Sequence, residues 1–197
     1  HFPRFDAPVF GDLIARFLRG ELGTVEAVDP YLVALLFAGD RGDAAAEIRQ
    51  WLASGEAGGL DRYVYSNVAF QCAKLSSEEE RRALKRWILD TEYGYYRLPR
   101  PDVSLFLDVP FSFTERKLTQ AREGGDRDYL QGAHDIHEAS LDLQQRVRGV
   151  YLDAVREDAA FRVVDCCAPD GSMETPERIF SKIEAALAPL LNAAADA

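Results

Sequence analysis

The segment from Asp61 to Gln71, DRYVYSNVAFQ, contains the side chains best suited to chemistry. Arg62 has a planar guanidinium that can hold a phosphate through two parallel hydrogen bonds. Gln71 has a donor and an acceptor on one amide, so it can pair with the amide-like edge of a base. From residue types alone, the segment fits either a site for an anion and a base or a surface Asp61–Arg62 pair in front of an amphipathic helix.

A second pair of candidate groups is Phe37 and Arg41, which lie four residues apart in a predicted helix and therefore on one face. An aromatic ring and a guanidinium on one face can stack on a flat ligand and hydrogen-bond its edge. The alternative is a core phenylalanine beside a surface arginine. The pair predicts a ring-binding surface only where the helix faces a cleft.

The polar region around residues 116–137 carries two further groups. Its cations fit either attraction of a polyanion such as ATP or an ordinary solvated loop of mixed charge; they are Arg116, Lys117, Arg122 and Arg127. His134 and His137 are three residues apart, a spacing found in metal sites, with Asp135 and Glu138 beside them. Because no third ligand cluster accompanies the two histidines, we predict no metal site.

Length and charge restrict the class of protein. A chain of 197 residues predicts a single domain over residues 1–197. The 23 basic and 33 acidic residues give a formal net charge of −10, which argues against a protein that binds nucleic-acid polymers. No apolar run approaches the roughly 18 residues of a membrane span. Three scattered cysteines predict reduced thiols. We therefore expect a cytoplasmic protein that binds neither nucleic acid nor membrane.

The elements that must position these side chains alternate between strands and helices. Two apolar runs, residues 103–109 and 161–167, predict buried parallel strands, with Asp108 and Asp165 near their ends. The pattern predicts an α/β protein with a parallel sheet. Helices are predicted at 8–20, from Asp29-Pro30 through Phe37, at 43–53 after Gly42, after Ser76-Ser77, after Ser112, at 136–158 and after Thr175.

Five of these segments occur in the order found in one enzyme family. They are FPR at residues 2–4, LLFAGDR at 35–41, DRYVYSNVAFQ at 61–71, PDVSLFLDVP at 101–110 and SLDLQQRVRGVYL at 140–152. In this order and spacing the chain resembles thymidylate kinase, the P-loop nucleoside-monophosphate kinase that phosphorylates dTMP with MgATP to give dTDP. The resemblance implies a three-layer α/β/α, P-loop kinase-like fold with a parallel sheet, and a homodimer.

The resemblance also implies roles in binding the acceptor nucleotide. Phe37 would stack on thymine, Arg41 would hydrogen-bond its O4, and Gln71 would face its N3 edge. The dTMP phosphate would be held by Arg62 and Arg4, and Ser66 belongs to the same substrate-binding motif.

Catalytic and lid roles are implied in the same way. The catalytic residues would be Asp61, Arg62 and Arg122, with Asp61 near the acceptor phosphate and the Mg²⁺ that ATP carries on its phosphates. Residues 116–137 would form a lid that closes over ATP, with Arg116, Arg122 and Arg127 as its cations.

Three features depart from the family pattern. The lid motif Asp-Arg-Ile-Glu aligns with His134 to His137, so its Arg and Glu are replaced. SGEAGGL, at residues 54–60, stands where the family has β-branched residues leading into Asp61. A Gly-x-x-x-x-Gly-Lys-Ser/Thr loop does not occur in the 197 residues, and we expect it to lie upstream of them. Two alternatives follow: a catalytically inactive homologue that binds a nucleotide or a partner, and a deoxynucleoside kinase.

Overall fold

The computed structural model describes residues 1–55, 57–119, 125–132, 135–137 and 140–195, with backbone alone at 119, 125–127 and 192–195. The chain divides into two compact units, His1–Arg100 with Glu123–Val150, and Pro101–Arg122 with Tyr151–Ala197. The single domain over 1–197 stays a prediction. Within the described ranges, no helix is both long and apolar enough to cross a membrane.

The elements follow one another as helices with two strands placed late in the chain. They are α1 (Phe10–Leu18), α2 (Pro30–Ala53), α3 (Val64–Cys72), α4 (Glu78–Leu89), a π-helical segment (Asp90–Tyr95), β1 (Ser104–Asp108), α5 (Phe111–Thr119), a 3₁₀ segment (Gly125–Leu130), α6 (Leu141–Glu157), β2 (Phe161–Asp165) and α7 (Pro176–Ala195).

The second unit contains the sheet. β1 and β2 pair in parallel, from Ser104 opposite Phe161 to Asp108 opposite Asp165. This pairing confirms both predicted strands and the α/β class. The strands are less buried than predicted, because the side chains of Leu107 and Val163 are 43% and 39% exposed. The face that carries Val164 packs on α7 through a cluster that includes Val164, Cys166 and Ile179.

The first unit is helical, and its core lies among α2, α3 and α4. That core contains Ala34, Val64, Val68, Leu84 and Ile88, all essentially inaccessible to solvent. A second cluster joins α1 to α2; it contains Ile14, Phe17, Val33 and Phe37. The first cluster fixes α2 against α3 and the second fixes α1 against α2, which matters because α2 and α3 carry the candidate site.

The predicted helix break at Gly42 is wrong, because α2 runs without interruption for 24 residues. A β-carbon at Gly42 would lie 2.3 Å from the ring of Tyr96, and one at Gly39 would lie 2.3 Å from the ring of Phe10. The two glycines therefore serve close packing of aromatic rings on the helix rather than its termination.

The predicted helix starts have mixed outcomes. Asp29 and Ser77 accept hydrogen bonds from the backbone amides of Tyr31 and Glu80, which confirms them as N-caps of α2 and α4. Ser112 is wrong as a cap, since α5 already begins at Phe111. α6 begins at Leu141 rather than at 136, and the Ser140 hydroxyl accepts from the amide of Leu143. Residues 57–61, which stand where the family has β-branched residues leading into Asp61, form no strand.

Candidate functional site

A cleft of about 300 Å³, counted with its open mouth, lies in the first unit. α2 and α3 form its walls, the N-terminal segment crosses it, and one residue near α6 contributes a side chain. It is lined by Phe2, Pro3, Phe37, Arg41, Arg62, Ser66, Asn67, Phe70, Gln71 and His137. This lining combines aromatic rings with amides and guanidinium groups, a mixture of apolar and polar groups that is typical of ligand sites.

The cleft brings together most of the acceptor-site residues that the sequence suggested. Phe37 and Arg41 come from adjacent turns of α2, while Ser66 and Gln71 come from α3. Arg62 lies just before α3. The helical spacing in each case turns the side chains toward one side, and the packing of α2 on α3 makes the two sides face each other. Their individual roles toward a ligand stay predictions.

Arg41 is held by an ion pair at the inner end of the cleft. Its Nε and Nη2 donate to Glu92 Oε2 and Oε1 at 2.5 and 2.6 Å. Arg41 is 2% exposed and Glu92 is fully buried. Asn67 Nδ2 donates to the same carboxylate and to the carbonyl of Ala34, each at 2.9 Å. This network neutralises the guanidinium and fixes its orientation.

Glu92 was missed by the sequence reasoning. It lies in the π-helical segment Asp90–Tyr95, 51 residues from Arg41, in a stretch rich in tyrosine. π-helical turns are uncommon and concentrate at functional sites, but no residue type marks them reliably. Pairing over this distance is a property of the tertiary fold, so the letters around Glu92 carry no signal of it.

Three buried polar atoms in the cleft have no hydrogen-bond partner among the described residues. They are Asn67 Oδ1, Gln71 Oε1 and His137 Nε2. A buried polar atom without a partner costs about 1–3 kcal/mol, so such atoms mark places where a ligand group can restore the lost hydrogen bond. All three belong to residues that line the cleft.

Arg62 occupies the opposite, exposed end. Its φ of 61° is in the left-handed region, which is unfavourable for a residue with a β-carbon. Its guanidinium carbon lies 5.3 Å from the centre of the Phe70 ring. The cation–π contact keeps the charge at the cleft while leaving its donors accessible. Backbone strain at a cation beside a cleft is a feature that often accompanies function.

Arg4 and Asp61 are not among the residues that line the cleft. Arg4 Nε donates to the buried carboxylate of Asp40 at 3.0 Å, and its Nη2 donates to the Asp40 carbonyl at 2.6 Å. These bonds tie the N-terminal segment to α2, and so they position Phe2 and Pro3 in the lining. Asp61 is exposed, and its carbonyl accepts from the amide of Phe2 at 3.0 Å. Asp40, which sequence reasoning missed, lies within the LLFAGDR segment.

The structure describes only some of the residues predicted to form the lid. Arg116 lies on α5 in the second unit. Arg122, His134 and Glu138 lie outside the described residues, as does the side chain of Arg127. Within the described part of the chain, no three His, Cys, Asp or Glu side chains are grouped as metal ligands.

His137 lies in an aromatic environment rather than in a ligand cluster. Its ring centre is 5.2 Å from that of Phe17, 5.1 Å from Phe70 and 6.3 Å from Phe37. Burial lowers its pKa well below the usual value, and the nearby charges of Lys74 and Arg62 lower it further. The imidazole is therefore neutral at pH 7.

Comparison with known sequences identifies the class of protein to which this cleft belongs. The model of the family "Thymidylate kinase" matches residues 5–173. The chain belongs to the thymidylate kinase family, which makes it a member of a P-loop kinase family of nucleotide-binding transferases.

Known relatives agree with this assignment. Thymidylate kinase from Mycobacterium tuberculosis is 34% identical over 153 residues, which cover 77% of this chain and 68% of the relative. Thymidylate kinase from Caenorhabditis elegans is 30% identical over 168 residues, covering 85% of this chain and 63% of the relative. The solved structure of thymidylate kinase from Candida albicans covers 97% of this chain and 79% of its own, with a TM-score of 0.70 at 24% identity. The structural likeness confirms the P-loop kinase-like fold.

Proposed function

We propose that the protein transfers a phosphoryl group from MgATP to dTMP and so produces dTDP for dTTP synthesis. The observation that carries the proposal is the cleft itself, in which unpaired amide oxygens, a phenylalanine ring and two arginines face one space. Family membership supplies the kinase class, and the cleft chemistry supports the choice of acceptor.

The inner end of the cleft suits thymine. Thymine presents an N3–H donor between two carbonyl acceptors, whereas neutral cytosine has an acceptor at N3. Gln71 Oε1 and Asn67 Oδ1 are buried acceptors that lack a donor within the described structure, so either oxygen can receive N3–H. We assign stacking on thymine to the ring of Phe37, which lines the cleft. We assign the hydrogen bond to O4 to Arg41, whose guanidinium Glu92 holds in a fixed orientation.

The outer end suits the acceptor phosphate. Arg62 is the guanidinium that the cleft leaves exposed, and a bidentate contact with a phosphate would offset part of its backbone strain. Arg4, bonded to Asp40, is the second candidate for this phosphate. Asp61 next to Arg62 is the proposed catalytic carboxylate near the phosphate and the metal of MgATP.

Phosphoryl transfer of this kind needs no covalent bond between the substrate and a protein side chain. Phosphoryl transfer depends on holding donor and acceptor in line and on neutralising the charge of the transferred group. We assign the second task to Arg62 with the lid cations Arg116, Arg122 and Arg127. A closed lid also excludes water that would otherwise hydrolyse ATP. A homodimer in the cytoplasm completes the proposal.

Calorimetry tests the acceptor site directly. The chain is titrated with dTMP, dCMP and thymidine. We expect dTMP to bind at least tenfold more tightly than either of the others, because dCMP lacks the N3–H and thymidine lacks the phosphate. Equal binding of dTMP and dCMP would contradict the proposed base site, and preference for thymidine over dTMP would favour a deoxynucleoside kinase.

Turnover is tested with the full-length product of the gene that encodes this chain. ADP formation from ATP is followed with dTMP, and with no acceptor as the control. We expect turnover that depends on dTMP. Tight dTMP binding without any turnover would point instead to a nucleotide-binding homologue without catalysis.

A further inference from the structure

His137 lines the cleft, but the proposed function gives it no role toward the ligand. Hydrogen bonds hold it firmly in position. Its backbone amide donates to Asp135 Oδ1 at 2.8 Å, and its carbonyl accepts from Gln144 Nε2 at 2.7 Å. Asp135 Oδ2 in turn accepts from the hydroxyl of Tyr129 at 2.8 Å. The turn that carries the imidazole is therefore held from two sides, and three aromatic rings surround the imidazole itself.

His137 lines the cleft and carries a buried group whose hydrogen bond is unsatisfied within the described structure. His137 is 5% exposed, and its Nε2 is buried without a hydrogen-bond partner in the described ranges. The three aromatic rings around the imidazole have no atom that can form a conventional hydrogen bond with Nε2; they belong to Phe17, Phe37 and Phe70. A neutral buried nitrogen binds by a directional hydrogen bond, so its natural partner is an uncharged polar group such as a hydroxyl.

The position of His137 along the cleft indicates which ligand group reaches it. Phe37, 6.3 Å away, lies at the end that we assign to the base. Phe70, 5.1 Å away, lies under Arg62 at the end that we assign to the phosphate. The imidazole contacts both rings and so lies between the two ends. In a nucleoside monophosphate, the group between base and phosphate is the sugar.

We propose that His137 is a specificity-determining residue whose Nε2 hydrogen-bonds the 3′-hydroxyl of the acceptor deoxyribose. The proposal rests on the proposed function, because it takes the ligand to be dTMP. Deoxyribose in dTMP has this single free hydroxyl, so the contact is with a defined atom. Loss of the hydroxyl would leave the buried nitrogen unpaired again, and the affinity would fall accordingly.

A double-mutant cycle between protein and ligand tests the contact. Calorimetry measures the binding of dTMP and of 3′-deoxythymidine 5′-monophosphate to the wild-type chain and to His137→Phe. We expect the wild-type chain to lose about tenfold in affinity when the hydroxyl is removed. We expect His137→Phe to bind both ligands equally, at about the affinity of the wild-type chain for the deoxy ligand. His137→Gln, which keeps a polar group, should retain part of the discrimination.

Tyr129→Phe is the matched control, since it removes a hydrogen bond from the same turn without touching the lining. It should keep the wild-type ratio between the two ligands. Equal affinity of the wild-type chain for both ligands overturns the proposal without any variant, as does an unchanged tenfold ratio in His137→Phe. Failure of dTMP as the acceptor is distinguishable, because the wild-type chain would then not bind dTMP, and loss of turnover alone leaves the comparison of the two ligands intact. If His137→Phe does not fold, as judged by circular dichroism, the wild-type ligand comparison and His137→Gln still decide.

Discussion

Arg41 and Arg62 line the same cleft, yet the two ends of the cleft treat a guanidinium in opposite ways. Arg41 is buried in α2 and shares two hydrogen bonds with a buried carboxylate. Arg62 is exposed, adopts a strained backbone and rests on an aromatic ring. An arginine that is paired and immobile can donate a directed hydrogen bond to a ligand, but the paired carboxylate cancels most of its attraction for an anion. An exposed arginine without that carboxylate is suited to drawing in and holding an anion.

The largest expected effect comes from breaking the inner end with Glu92→Gln. Arg41 would keep its charge in a buried position while losing its ionic partner, which costs about 3–5 kcal/mol of folding free energy. Urea unfolding followed by circular dichroism measures the loss. Glu78→Gln is the control, since Glu78 pairs with Arg82 on an exposed face of α4, and its unfolding midpoint should be unchanged. Equal midpoints for Glu92→Gln and wild type would contradict the assigned role of the pair.

Arg62→Gly should show the reverse pattern at the outer end. Glycine accepts the left-handed backbone without strain, so the unfolding midpoint should stay the same or rise slightly. Binding of dTMP should weaken about 10- to 100-fold, the loss expected for a charge-assisted hydrogen bond to phosphate. Calorimetry at two salt concentrations should also show a smaller salt dependence than in wild type. A variant that binds dTMP normally would remove Arg62 from the phosphate site.

Gln71→Leu changes the end of the cleft that we assign to the base, and it does so without altering any charge. It therefore separates base recognition from the electrostatic roles of the two arginines. The preference for dTMP over dCMP should fall about tenfold, because the buried oxygen that accepts N3–H is lost. Stability should not decrease, since the substitution also removes an unpaired buried acceptor. Competition binding with the two nucleotides measures the ratio. Persistence of the full preference would assign N3–H recognition to Asn67 instead.

The smallest effect concerns a third cation, Lys74, which lies near His137 and 5.0 Å from the Phe17 ring. Burial lowers its pKa to about 8 from an ordinary 10.5. Between these values the unfolded chain binds more protons than the folded one, so stability rises with pH. From pH 7.5 to 9 the gain should be about 1 kcal/mol in wild type relative to Lys74→Met, measured by urea unfolding. Parallel pH profiles for the two proteins would refute the assigned pKa.

Local patterns predicted the elements well wherever short-range physics decides. The N-caps Asp29 and Ser77, the two strands and the amphipathic α1 all depend on neighbouring residues, and the structure confirms them. Predictions failed where a distant partner decides. From the sequence, Gly42 predicts a helix break. In the structure the helix continues through Gly42, and the ring of Tyr96 occupies the space where a β-carbon would lie.

The candidate site divides in the same way. Its acceptor-site residues could be named from motifs, since residue types at helical spacing suggest a ring, an amide and a guanidinium on shared faces. Asp40 and Glu92 could not be named, because a carboxylate that pairs 36 or 51 residues away has no local signature. His137 was predicted only as one of two histidines at metal-ligand spacing and as the last residue of the lid region. The aromatic rings around it come from three other helices, α1, α2 and α3.

The sequence by itself therefore determined the family, the α/β class and the side chains that a nucleotide would meet, since these follow from residue types in a fixed order. Tertiary structure alone decided which arginine is neutralised, which amide oxygens remain unpaired and where His137 points. The physical reason is that charge, desolvation and hydrogen-bond satisfaction depend on what surrounds an atom in space. Those surroundings are assembled from residues far apart along the chain.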